Sequence, residues 1–180
     1  RRSESGLQAV RDAGLRAVRA DATEPSSLSA VPDVDAVVYA ASAGGRSPAA
    51  ARETYLEGLA ATVAAFGERD DQPSQFVYTS STGVYGDHDG AWVDEETGLR
   101  PATERERVLV DAERVVRERA PAHGMDATVV RFAGLYGPGR YPIDRYLDGP
   151  VTEGWLNLLH RDDAAGVVRF VLTAATGDHE

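Results

Sequence analysis

The chain has 180 residues, 42% of them hydrophobic, with a formal net charge of −10; that is enough apolar material for one domain with a real core. All 19 basic residues are arginine, and lysine and cysteine are both absent. This excludes disulfides, thiolate metal sites and any lysine-dependent mechanism, and so acidic a surface repels nucleic-acid phosphates.

No apolar run approaches the roughly 20 residues that a bilayer span needs, and no signal-peptide pattern opens the chain. The expectation is a cytoplasmic protein with neither nucleic acid nor membrane as partner. The lysine-free, aspartate-rich composition resembles that of proteins from salt-loving, high-GC organisms, and codon bias toward arginine is an alternative source.

In chain order, Gly6–Asp12 reads as a short helix capped by Ser3 and ended by Gly14. Leu15–Ala20 reads as a strand closing on Asp21. Thr23 and Pro25 read as the cap and first residue of a helix. Asp35–Ala40 is a buried strand that runs into the small-residue loop Ala41–Gly45. Ser47-Pro48 opens a long helix to about Glu68, with Tyr55, Leu59, Val63 and Phe66 on one face.

Gln75–Tyr78 follows as a strand, and at Thr79 the apolar run gives way to hydroxyls, Thr79-Ser80-Ser81-Thr82, then Gly83-Val84-Tyr85-Gly86. Ligands of open α/β sheets bind beyond the carboxyl ends of strands, so this stretch is the candidate site; a Ser/Thr-rich turn is the plain alternative.

Asp87–Leu99 is a polar excursion with an expected hairpin around Trp92. Thr103-Glu104-Arg105-Glu106 fits a capping box opening a helix to about Ala120. Asp126–Phe132 reads as a strand, Gly134–Tyr141 as a Gly/Pro loop, Trp155–Leu159 as a short strand and Asp162–Ala175 as a last helix. Strands alternating with helices imply an α/β, doubly wound parallel sheet in a single domain over 1–180.

Six segments together carry a family resemblance: Arg19-Ala20-Asp21, Val37–Ala41, Val77–Gly86, Trp92–Glu95, Arg131–Arg140 and Asn157–Asp163. In that order they resemble the extended short-chain dehydrogenases/reductases, the NAD-dependent epimerases and dehydratases of nucleotide sugars, and within them an atypical NAD(P)-binding branch of Rossmann-like fold. The resemblance implies an NAD(P)-dependent oxidoreductase or epimerase acting on a small polar or nucleotide-linked substrate; the alternative is a non-catalytic NAD(P)-binding sensor or scaffold. A homodimer through the two long helices would follow the family, unless their apolar faces pack on the sheet.

Carried over residue by residue, Asp21 would accept from the adenine amino group with Ala22 beside it, and a turn cap is its other reading. Ala40, Ala41 and Ser42 would pass under the cofactor, although tight helix–sheet packing explains small residues equally. Arg1, Arg2 and Ser3 would meet the adenosine ribose, and arginines there favour NADP over NAD, against a solvated basic terminus. Ser80 would line the nicotinamide side, and Ser81 or Thr82 would orient the substrate. The loop from Gly134 to Gly139 would close over nicotinamide and substrate; Pro138 and Pro142 rule it out as a phosphate loop. His160 and Asp163 read as structural, with Asp163 capping the last helix, and no metal site is expected.

Two departures stand out. The family's tyrosine and lysine, four residues apart on one helical face, fall here at Arg105 and Leu109, and the asparagine of the preceding helix falls at Tyr55. Tyr85 is then a substitute acid/base candidate, needing a cation such as Arg105 or Arg107; a packed loop tyrosine is its other reading. Nothing matches the first strand and glycine-rich pyrophosphate turn. The chain starts at Arg1 rather than methionine, so the native protein is expected to continue upstream of Arg1 and past Glu180.

Overall fold

A computed structural model describes residues 3–43, 47–141 and 156–174. Its helices and strands form an α/β unit around a parallel sheet, β1 (Ala36–Tyr39), β2 (Gln75–Ser81) and β3 (Asp126–Phe132), in that order across the sheet. Val37 lies beside Phe76, Tyr39 beside Tyr78, and Ser80 beside Arg131. Because successive strand residues point to opposite faces, Phe76, Tyr78 and Ser80 share one face while Val77, Thr79 and Ser81 share the other.

The helices follow the capping chemistry of their first turns. In α1 (Glu4–Asp12) Ser3 accepts from the Gly6 amide, and Gly14 follows at φ +75°. In α4 (Glu104–Ala122) the capping box is complete: Thr103 Oγ1 accepts from Glu106 N, and Glu106 Oε2 accepts from Thr103 N. The long helix after Ser47 is broken into α2 (Pro48–Arg52), one π turn (Glu53–Glu57) and α3 (Gly58–Gly67). The apolar faces of α3 and α4 pack on the sheet and each other, joining Leu59, Val63, Ala112 and Val116 to Val37, Tyr39, Phe76 and Tyr78.

Beyond β3, β4 (Gly134–Tyr136) pairs in parallel with β5 (Leu158–His160), and α5 (Arg161–Ala174) follows directly.

Several expectations are corrected. Residues 15–20 do not form a strand. Arg16 and Arg19 are an odd number of positions apart, so in a strand each face would carry a guanidinium, and neither could be buried cheaply. Thr23 does not cap a helix: its amide and hydroxyl both donate to Asp21 Oδ1, and the segment is a 3-10 turn (Pro25–Ala30). The first three hydroxyls expected beyond the strand belong to β2 itself. No hairpin forms around Trp92, which is fully exposed; Asp87 and Asp94 satisfy nearby groups locally, with Asp94 Oδ1 accepting from the Thr97 hydroxyl. The start of the expected loop at Gly134 is the strand β4, closed by a tight turn between Gly137 and Arg140. Asp163 lies inside the first turn of α5, and it is His160 Nδ1 that accepts from the Asp162 amide. Gly44, Gly45, Trp155 and Ala175 lie outside the described residues.

Candidate functional site

β1 ends at Tyr39, and the small residues after it leave an open cleft of about 440 Å³ at the strand's carboxyl end. Ala20, Asp21, Ala22 and Thr23 form one wall; Val38 to Ser42 and Thr54 form the rest. The sequence-predicted Asp21, Ala22, Ala40, Ala41 and Ser42 are thus brought together. Asp21 is set by a local turn: its Oδ1 accepts from Thr23 N at 3.0 Å and Thr23 Oγ1 at 2.8 Å, while its amide and carbonyl both bond Ser27 Oγ. The turn-cap reading of Asp21 therefore holds, and the residue also lines the cleft wall.

Tyr39 closes the floor. Its hydroxyl donates to the Thr54 carbonyl at 2.6 Å, and burial, with the charge of Asp21 adding to it, pushes its pKa up to about 12. Gly58 makes room for this phenol, since a Cβ there would stand 3.0 Å from its hydroxyl oxygen.

At the end of β2 the hydroxyls divide. Ser80 faces inward and is buried, donating to Glu113 Oε1 at 2.6 Å, so its hydroxyl is committed inside the protein rather than toward a bound ring. Thr79 reaches the Tyr39 carbonyl at 3.4 Å. Ser81 caps the 3-10 turn Thr82–Tyr85, its oxygen accepting from Gly83 N at 3.2 Å, which leaves its O–H as a donor. Gly86 ends the turn at φ +69°, where a Cβ would run into the Arg100 carbonyl.

Tyr85 is buried, and the cation beside it is neither Arg105 nor Arg107. Arg131 Nη1 donates to its hydroxyl at 2.8 Å, with the guanidinium carbon 4.9 Å from the ring centroid. Arg107 reaches the Ala102 carbonyl, and Arg105 reaches Tyr55: Arg105 Nη2 donates to Tyr55 Oη at 2.7 Å. The same Tyr55 oxygen accepts from Ala43 N at 3.2 Å.

Residue composition at the mouth hid a buried network that joins β2, β3 and α4. Glu113, 2% exposed, receives Arg131 Nε and Nη2 at 3.0 and 2.7 Å as well as the Ser80 hydroxyl. Its hydrogen bonds to Glu113 and then Tyr85 push the Arg131 pKa further above its already high ordinary value, against the cost of burial. Tyr78, buried beside this pair, is raised by burial first and by the Glu113 charge next. A signal existed in the sequence: Glu113 interrupts the apolar stripe Leu109–Ala112–Val116 of α4, and Arg131 interrupts the apolar run of β3 with the opposite charge.

The remaining predicted residues are placed as follows. Ser3 caps α1, and Gly134 lies against β5, its amide donating to the Asn157 carbonyl at 3.0 Å. Arg1 and Arg2 fall outside the described residues. Among the described residues no His, Asp or Glu cluster could hold a metal, and no helix is long and apolar enough to cross a membrane.

The model of the NAD dependent epimerase/dehydratase family matches residues 1–161, and the chain belongs to that family. It is 33% identical over 186 residues to Protein YeeZ of Escherichia coli (strain K12), the match covering 98% of this chain and 64% of YeeZ. The chain therefore spans just under two thirds of that relative's length. Among solved structures it resembles a double mutant of DesIV, a dTDP-glucose 4,6-dehydratase from Streptomyces venezuelae with NAD and DAU bound, at TM-score 0.76 and 25% identity over 94% of this chain and 58% of that one. RMD from Pseudomonas aeruginosa, complexed with NADPH, shares the fold at TM-score 0.73 and 23% identity over 92% of this chain and 68% of that one.

Proposed function

We propose that the protein is a nicotinamide-dependent oxidoreductase or epimerase of the nucleotide-sugar type. The observation that carries this is the cleft beyond β1, where a carboxylate wall at Asp21 faces a floor of Ala40, Ala41 and Ser42. Its donor set fits an adenine nucleotide: a hydrogen-bond acceptor for an exocyclic amine, and side chains small enough for close backbone approach. Family membership supports the reading, as do the NAD and NADPH bound by two fold relatives.

Asp21 and Ala22 would hold the adenine side, and Ala40 to Ser42 would underlie the dinucleotide. A bound nicotinamide would supply hydride transfer. The chain's own contribution is to position and polarise: Ser81, whose oxygen accepts from Gly83, keeps its O–H as a donor that would meet a substrate oxygen beside Thr82. The substrate is a small, polar molecule, and NADP is preferred over NAD because Arg1 and Arg2 precede the cleft wall in sequence.

A second reading, a non-catalytic NAD(P)-binding module, is favoured by one specific observation: α4 holds no tyrosine and the chain no lysine. One experiment separates the two. NADPH and NADH are titrated onto the full-length protein by fluorescence, and turnover is then followed by nicotinamide absorbance with a panel of carbonyl compounds and nucleotide sugars. Binding with turnover is expected. Binding without turnover moves the assignment to the sensor, and no binding removes both.

A further inference from the structure

The helix α4 lacks a phenol, yet two tyrosine–arginine pairs stand near the hydroxyl-bearing turn, and they differ in charge. At Tyr85 the partner guanidinium is neutralised: Arg131 is held by Glu113 through Nε and Nη2, and its side chain is 9% exposed. At Tyr55 the partner is Arg105, an exposed residue that pairs with no carboxylate among the described residues.

Three further observations converge on Tyr55. It is the central residue of the π turn Glu53–Glu57, where the Gly58 amide reaches back to the Glu53 carbonyl. A single π turn inside an α-helix rotates the residues after it and is found most often at functional sites. Its hydroxyl oxygen accepts from both Arg105 and Ala43 N, which fills its lone pairs and leaves its one proton to be given rather than shared. Finally, Thr54 and Ser42, the chain neighbours of Tyr55 and Ala43, both line the cleft, while Tyr55 itself packs in one cluster with Val84 and Tyr85 of the turn after Ser81.

We infer that Tyr55, presented by the π turn and held by Arg105, is the proton donor to the substrate oxygen in this protein. The inference rests on the cofactor reading above. In the reducing direction the Tyr55 O–H bond breaks as an O–H bond forms on the substrate oxygen, and a bound reduced nicotinamide would supply the hydride, hydrogen and electron pair together, for the new C–H bond at the substrate carbon. Arg105 takes up the negative charge left on the phenol oxygen, and water returns the proton. In the oxidising direction the same atoms move in reverse. The matched substrate class is a secondary alcohol or its ketone, which a nucleotide-linked sugar provides.

The test uses the full-length protein with ring-labelled [13C]tyrosine, loaded with NADPH or NADP. The Tyr55 resonance is identified by its loss in Tyr55→Phe, and dTDP-glucose and UDP-glucose are the probes. The expected result is that the probe shifts the Tyr55 resonance, and that Tyr55→Phe lowers kcat about 100-fold or more while KM for the probe and NADPH affinity change little. Arg105→Lys keeps part of the rate and Arg105→Ala loses it.

Four results overturn the inference. Cofactor binding with an unmoved Tyr55 resonance, or a Tyr55→Phe variant as fast as the parent, removes Tyr55 alone and leaves the cofactor reading intact. Cofactor binding without turnover in the parent removes the proton-donor role. No cofactor binding removes both readings together.

Discussion

The two tyrosine–arginine pairs have equally buried phenols in one apolar cluster, but their guanidiniums sit in opposite environments. Tyr85–Arg131 is enclosed, with the guanidinium locked onto Glu113 between α4 and β3, whereas Tyr55–Arg105 joins the π turn to the exposed first turn of α4. The difference teaches that a phenol beside a cation is not in itself a reactive site. Where the charge is already matched, desolvated and hydrogen-bonded on every side, the pair is a clamp; where the cation is unmatched and solvent-facing, it can respond to a charge that develops during a reaction.

The largest expected effect breaks the enclosed pair. Glu113→Ala leaves Arg131 buried without its carboxylate, and removing one partner of a buried pair costs about 3 to 5 kcal/mol. Chemical denaturation should read that loss directly. Replacing Arg131 by Leu in the same chain should recover part of it, because the unpaired charge is then gone.

Next comes the phenol beneath the π turn. Tyr39 has a folded pKa of about 12 against an ordinary 10, so the folded state holds its proton more tightly than the unfolded state. Its contribution, about 2 to 3 kcal/mol by that difference, is full below pH 10 and disappears as pH rises toward 12. Stability should fall across that alkaline window, and Tyr39→Phe should flatten its share of the fall. An unchanged slope would show that burial does not make Tyr39 hold its proton more tightly in the folded state.

Thr103→Ala sharpens the contrast at smaller scale. It removes the cap of α4, worth about 1 kcal/mol, at the end of the helix that carries Arg105 and ten positions before Glu113. Glu106, whose pKa is held below its ordinary value by the Thr103 amide, stabilises the native state above its unfolded pKa and loses that effect as pH falls through the lower folded value. The variant keeps that amide, so its melting temperature should fall while its acid dependence stays largely the same. The smallest effect is Arg105→Ala, an exposed side chain whose loss should change stability by less than about 1 kcal/mol, in contrast to Glu113→Ala. A loss as large as that of Glu113→Ala would erase the distinction between the pairs.

Most of the fold was legible because local chemistry and burial agree along the chain. Ser3, Ser47 and Thr103 announce helices that begin one residue later, and the apolar runs at 36–39, 75–78 and 126–132 are strands. Where the reading failed, side chains competed with the backbone or periodicity conflicted with burial: Asp94 and Thr97 satisfy each other in place of a hairpin, and Arg16 and Arg19 deny residues 15–20 a face to bury. Of the candidate site, Asp21 and Ala40–Ser42 were reached through the family resemblance, and they line one cleft. Arg131, rather than Arg105, as the partner of Tyr85 was not legible, since which arginine meets which tyrosine depends on packing between elements far apart in sequence. The π turn was equally hidden; no residue from Glu53 to Glu57 departs from ordinary helix chemistry.

The central claim is that the cleft beyond β1 takes a nicotinamide dinucleotide. Ala41→Leu tests it most directly, because Ala41 is exposed on the cleft floor and a larger apolar side chain there fills space without disturbing the core. Fluorescence titration of NADPH onto the full-length protein should show tight binding in the parent and at least a roughly 100-fold weaker affinity, about 2.7 kcal/mol, in the variant at an unchanged melting temperature. Equal affinity in parent and variant would contradict the account.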